Sequence, residues 1–172
     1  MNRVLVVTAV VSLLGGIAPH AAAQTSYLSF GAGAGGEGVA YGVNWTVQTN
    51  SLSFSARFIR TEEFQLLGSP HPLLSVGDIA LMAGVRTPSG SHWSTTCEIG
   101  PGYVMQVDRG EYLRSDPGWF SDSYYGEIDR HAVGLALQSQ IYYRSVGLIL
   151  FGNVNKAESF GGIALSFRIG AW

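Results

Sequence analysis

Taking every second residue separates the chain into two kinds of position. From Ser26 to Gly35, Leu28, Phe30, Ala32 and Ala34 alternate with Ser29, Gly31, Gly33 and Gly35. From Val39 to Gln48, Val39, Tyr41, Val43, Trp45 and Val47 share one parity, and Ala40, Gly42, Asn44, Thr46 and Gln48 the other. Side chains on a strand point alternately to its two faces, so each run predicts a β-strand with one apolar face and one small or polar face. The same pattern predicts strands over Leu52–Ile59, Val76–Thr87, His92–Val104 and His131–Tyr143, and a closing pair within Val146–Trp172. Turn signals fall between them at Gly36-Glu37-Gly38, Thr49-Asn50-Ser51, Pro88-Ser89-Gly90 and Arg144-Ser145. Pro101 sits inside the fifth strand, where it cannot donate to a ladder. Alternation fails over 61–75 and 106–130, which read as the two long connections. The expectation is a single all-β domain of eight antiparallel strands.

The last strand states the physical question most sharply. Ile163, Leu165, Phe167, Ile169 and Ala171 oppose Ala164, Ser166, Arg168 and Gly170, and Trp172 falls out of phase with the apolar set. That apolar face must meet either a protein core or lipid. Across all eight strands the apolar parity carries no Asp, Glu, Lys, Arg or His. The opposite parity carries Gly, Ala, Ser, Thr, Asn and Gln with Arg57, Asp78, Arg86, Glu98 and Arg168. Charged residues make up only 13% of the 172-residue chain, against about 25% in soluble domains. A soluble ligand-binding barrel would show water an exterior short of Lys and Glu. A transmembrane barrel turns the apolar face to lipid, where a charge costs about 2–4 kcal/mol at the midplane. The pattern therefore predicts an up-and-down transmembrane barrel, with a secreted soluble barrel as the alternative.

Residues 1–23 read as a cleavable signal peptide: Arg3, an apolar run from Val4 to Ile17, then Ala21-Ala22-Ala23. The barrel domain is expected over 24–172. With one cysteine, Cys97, no internal disulfide can close the fold, and the residue falls on the apolar face as a small hydrophobe. A net charge of −2 gives no reason to expect a nucleic-acid partner. Connections of alternating length predict both termini on the side of the short turns, with 61–75 and 106–130 on the far side. Tyr41, Trp45, Trp93, Tyr103, Tyr142 and Tyr143 are candidates for an interfacial girdle.

The alternation, the strand Asp78-Ile79-Ala80-Leu81-Met82-Ala83-Gly84-Val85, the segments Gly100-Pro101-Gly102-Tyr103 and Phe151-Gly152-Asn153-Val154-Asn155, and the aromatic last residue resemble the small eight-stranded outer-membrane β-barrel proteins. That group includes the outer membrane protein A-like and X-like barrels, and the resemblance covers about 24–172. It implies a bacterial outer-membrane location, a setting of outer-membrane lipid and lipopolysaccharide, and assembly by the barrel insertion machinery. It implies no single activity. A monomer is expected.

Candidate chemistry is sparse. Arg57, Asp78, Arg86, Glu98 and Arg168 are expected to form an interior polar network, because eight strands enclose only enough room for side chains. Tyr112, Trp119, Phe120, Tyr124 and Tyr125, among the acids of 106–130, form a candidate recognition surface for an extracellular ligand. His92-Trp93-Ser94 resembles the His-x-Ser of lipid A 3-O-deacylases, with Glu98 on the parity of Ser94. Here the pair follows a short turn, points inward, and lacks that family's neighbouring residues, so no catalytic residue is assigned. A lipid-modifying enzyme stays as the alternative function. No metal site or cofactor is predicted, since His71 and His131 lack partners at ligand spacing.

Overall fold

The computed structural model describes residues 25–64, 73–89, 92–115 and 123–170. The predicted signal peptide, Trp119, Phe120, His71 and Trp172 lie outside the described residues. Eight strands follow one another: β1 (Thr25–Gly35), β2 (Gly38–Gln48), β3 (Leu52–Glu62), β4 (Ser75–Ser89), β5 (Trp93–Ser115), β6 (Ser123–Tyr143), β7 (Val146–Asn155) and β8 (Phe160–Gly170). Each pairs antiparallel with the next, and β8 returns to β1 through Leu28↔Ile169, Phe30↔Phe167 and Ala32↔Leu165. The sheet is a closed barrel, so its wall leaves no strand edge open.

The faces sort as the alternation predicts. Leu28, Phe30, Leu81, Leu137, Leu148 and Leu165 are exposed on the outside, while Ser29, Asn44, Thr46, Ser53, Gln138, Gln140 and Ser166 are buried inside. This inverts the arrangement that water imposes, and it is stable only where the surroundings are apolar. Strands β1, β2, β3 and β8 each have 11 residues, within the 9–11 or so that a tilted strand needs to cross a bilayer. The wall is that of a transmembrane barrel. Cys97 is exposed on this surface, its Sγ 3.5 Å from Ser139 Oγ on the paired strand.

One end of the barrel, the turn end, carries the short β2–β3, β4–β5 and β6–β7 connections together with Thr25 and Gly170. The other, the loop end, carries the remaining connections. At the turn end Arg144 adopts φ 54 in the two-residue link between β6 and β7, a left-handed conformation that costs a non-glycine residue about 1–2 kcal/mol. Gly170 adopts φ 155, so the backbone leaves ordinary strand geometry two residues before Trp172.

Three expectations are corrected. The segment 106–130 is mostly strand: β5 runs on to Ser115 and β6 starts at Ser123. Alternation fails there because the ribbon lies beyond the rim, with neither lipid nor lumen to sort its faces. Strand β3 likewise continues through Thr61 to Glu62. Tyr142 is buried inside rather than part of an outer girdle, because it shares parity with Gln138 and Gln140.

Pro101 is accommodated by asymmetric pairing. Strand β6 pairs through it, Gly100↔Ala136 and Pro101↔Leu135, whereas the β4 ladder passes from Ala80↔Gly102 to Ala83↔Ile99. At this place the backbones are unusually close: a Cβ on Gly100 would fall 2.0 Å from the Leu81 carbonyl oxygen. Only glycine allows that approach.

Candidate functional site: a filled interior and a ribbon beyond the rim

The interior is built in layers from the turn end upward. Tyr27 and Tyr142 meet edge to face, ring centres 6.0 Å apart. The Arg168 guanidinium lies over both rings, 5.2 Å from Tyr27 and 4.7 Å from Tyr142. Arg168 also donates to Ser94 Oγ (3.0 Å) and to the Arg144 carbonyl (2.6 Å). Gln48 donates to the Tyr27 hydroxyl at 3.1 Å, and the Tyr142 and Ser166 hydroxyls are 2.8 Å apart. The stack closes the turn end with aromatic bulk held by a cation.

Above it sits Glu98, 3% exposed. Its Oε1 accepts from Ser53 (2.6 Å), and its Oε2 from Ser55 (2.9 Å), Gln138 (3.0 Å) and Gln140 (3.1 Å). All four donors are neutral. The next layer is the ion pair Arg57–Asp78, at 2.5 Å and 3.1 Å, with both side chains shielded from solvent. Arg57 further donates to the Leu137 and Gly152 carbonyls, and Asn153 donates to Asp78 at 2.8 Å. Arg57 is paired with Ala80 and Asp78 with Ile59, so the two charges are diagonal neighbours on one face of adjacent strands. Burying such a pair is tolerable only because the remaining donors and acceptors are satisfied.

Of the five residues expected in this network, the structure brings Arg57 and Asp78 into contact. It leaves Glu98 among hydroxyls and amides and puts Arg168 on the tyrosines. It turns Arg86 toward the β2–β3 turn, where it donates to the Thr49 carbonyl at 3.4 Å. Toward the loop end the filling becomes apolar, with Ala40, Ile59, Val76, Val104, Ile149, Phe151, Phe160 and Ala164 in one cluster. A void of about 10 Å³ beside Arg57 and Gln138 is at the lower limit for a single water. The large inward residues Tyr27, Ile149, Phe151 and Phe160 were not picked out from the sequence. Their parity places them inside, but on an isolated strand one large apolar residue on a polar face carries no clear signal.

At the loop end the chain leaves the barrel. Strand β4 accompanies β5 as far as Ser75↔Val107, and β7 accompanies β6 as far as Gly134↔Asn155. Beyond those points β5 and β6 pair only with each other, through Asp108↔Ile128, Arg109↔Glu127, Tyr112↔Tyr125 and Ser115↔Ser123, with register shifts on both sides of Tyr112. The result is a two-stranded ribbon with both outer edges open. The Tyr112 and Tyr125 rings meet edge to face at 5.8 Å, and Tyr112 and Leu113 are exposed. Of the predicted recognition residues these two tyrosines are brought together, and Tyr124 is placed by its backbone alone, opposite Arg114. Arg109 is salt-bridged to Glu63, which fixes the base of the ribbon to the rim, and Arg130 is salt-bridged to Asp108, which ties the two ribbon strands to each other.

The His92-Trp93-Ser94 pair is not assembled for catalysis. His92 Nε2 faces Arg144 Nη2 at 3.4 Å, and Ser94 Oγ accepts from Arg168. An activated serine needs a base that accepts its hydroxyl proton, whereas Ser94 Oγ meets a guanidinium donor and His92 turns to Arg144.

No protein-family model matches the chain, and no curated protein is similar to it in sequence. Among solved structures, the barrel is similar to Neisserial surface protein A, with a TM-score of 0.52 and 11% identity over 86% of this chain and 96% of that one. The N-terminal β-barrel domain of Pseudomonas aeruginosa OprF aligns with a TM-score of 0.48 and 11% identity, over 85% and 97% of the two chains. A transmembrane β-barrel designed de novo aligns with a TM-score of 0.39 and 9% identity, over 84% and 95%. At these identities the likeness is one of fold: the chain is a small eight-stranded barrel of the outer-membrane type.

Proposed function

We propose that this protein is a bacterial outer-membrane barrel whose closed, filled wall serves as a rigid mount for the β5–β6 ribbon, which it displays to the cell exterior for recognition of an extracellular ligand. The short turns and both chain ends lie in the periplasm in this reading. The apolar belt sits among outer-membrane lipid and lipopolysaccharide, and the barrel insertion machinery delivers a monomer. The carrying observation is the ribbon itself. A chain that served only to span the bilayer would have no use for eight or more residues of paired strand on each side beyond its neighbours. The interior supports a mount rather than a channel, because each layer is occupied by packed or hydrogen-bonded side chains.

The test is fractionation followed by protease treatment of intact cells. The expected result is a heat-modifiable band in the outer-membrane fraction, cleaved by externally added trypsin within the ribbon, where Arg109, Arg114 and Arg130 lie. Recovery in the soluble periplasm, or a ribbon cleaved only after cells are broken, contradicts the reading.

A further inference from the structure

All the charge at the turn end has one sign. Arg86, Arg144 and Arg168 lie there with His92, and the described residues of the three short connections and the strand ends beside them include no Asp or Glu. The described acids sit in the lumen layers, at the loop end or on the ribbon. The whole chain carries a net charge of −2, so this end is positive against the sign of the molecule.

Two of these groups form a corner on the outside of the wall. Arg144 links β6 to β7, and its backbone N–H donates to the His92 carbonyl at 2.9 Å. The ring nitrogen Nε2 of His92 is 3.4 Å from Arg144 Nη2. A guanidinium cannot accept, so Nε2 does, and the ring carries its proton on Nδ1. Both side chains are exposed, and neither has a salt bridge among the described residues. The guanidinium lies over the Tyr143 ring at 5.7 Å, and Tyr143 packs on Trp93 at 5.0 Å. Those two rings are cross-strand partners turned outward. One step deeper the outward row is Ile141, Leu148 and Leu165. Along the wall the order is therefore aliphatic, aromatic, cationic, which matches the acyl, glycerol and phosphate depths of one leaflet.

The turn supplies a second observation. Arg144 holds φ 54, a place in a two-residue hairpin that Asn or Gly fills more readily. The hairpin itself gains nothing from an arginine there. From the lumen side Arg168 donates to the Arg144 carbonyl at 2.6 Å, so the turn is held while the guanidinium stays outside on Tyr143.

We propose that the His92–Arg144 corner binds the headgroup phosphate of an anionic phospholipid in the leaflet around the turn end. This rests on the reading of the wall as a membrane span. Arg144 offers paired N–H donors to two phosphate oxygens, His92 Nδ1 offers a third, and Trp93 and Tyr143 cover the glycerol and first methylenes. A zwitterionic headgroup carries its own cation beside the phosphate, and the positive turn end repels it. The ligand is thus a lipid such as phosphatidylglycerol, whose headgroup has no cation.

The experiment is native mass spectrometry of the folded full-length barrel in an uncharged detergent, with phosphatidylglycerol and phosphatidylcholine of the same chains added in equal amounts. The expected result is one retained lipid per barrel, with phosphatidylglycerol preferred about fivefold, the worth of one arginine near an anionic surface. Arg144→Asn suits the left-handed position and should bring the ratio close to one. Arg144→Gly should do the same, and heat-modifiable mobility checks that each variant is folded. Lys156→Gln removes the same charge at the loop end and should keep the parent ratio. A parent ratio near one, a parent-like ratio in a folded Arg144 variant, or an equal fall in Lys156→Gln overturns the inference. So does release of the lipid by millimolar inorganic phosphate, which would make free phosphate the ligand. Lipid choice is read on isolated barrels and location by cell fractionation, so a failed lipid preference is distinct from a failed membrane location.

Discussion

Strand β5 passes through two environments, and its two halves differ in what holds them. From Trp93 to Val107 it is paired on both sides, with Cys97, Ile99 and Tyr103 turned to lipid and Thr96, Glu98 and Val104 to the lumen. From Asp108 to Ser115 it is paired with β6 alone, and strict alternation stops. The lower half is constrained three ways: by the ladders, by the cost of a charge facing lipid, and by the cost of leaving a buried polar group unpaired. The upper half answers only to its partner strand and to water. A two-stranded ribbon is marginal by itself, so its order is borrowed from the wall through the continuous strands and Arg109–Glu63. The difference teaches that alternation records the surroundings of a strand rather than the strand itself.

The largest effect should come from the lumen. Arg57→Met leaves Asp78 buried without its cation and should destabilise the barrel by about 3–5 kcal/mol, measured by urea unfolding in lipid vesicles. Replacing both partners, Arg57→Met with Asp78→Leu, should recover most of that loss, because the cost lies in the unpaired charge. A double variant as unstable as the single one would show that packing rather than charge governs this layer.

A matched pair of substitutions compares the two environments directly. Leu150→Arg, on the outward face of β7, should cost about 2–4 kcal/mol where the side chain meets the bilayer midplane. Leu113→Arg, also exposed but on the ribbon, should change stability by no more than about 0.5 kcal/mol. Equal costs at the two positions would mean that the ribbon also lies in lipid. The smallest effect is expected within the ribbon: Tyr112→Ala removes an edge-to-face contact worth about 0.5–1.5 kcal/mol. It should loosen residues 108–115 and 123–128 while leaving the midpoint of global unfolding in place.

The limits of the sequence reading follow from the same physics. Eight strands and their outward faces are legible because lipid sorts Leu28, Phe30, Leu81 and Leu165 from their neighbours. The meeting of Arg57 with Asp78 was within reach, since both lie on inward faces of adjacent strands, but it needed the β3–β4 register. Inward parity puts Glu98 in one set with Arg57, Arg86 and Arg168. Its actual partners, Ser53, Ser55, Gln138 and Gln140, come from strands that closure alone brings opposite one another. In the sequence the ribbon looks like a loop because Asp108–Ser115 has no apolar face to display.

Hydrogen exchange on the folded barrel in detergent tests the central claim most directly, because it reads both halves of β5 and β6 in one molecule. Amides of 94–107 and 134–143 should be protected up to the limit set by global unfolding, and those of 108–115 and 123–132 should exchange through local opening orders of magnitude faster. Uniform protection along both strands would contradict the account of a rigid wall carrying a separately opening ribbon.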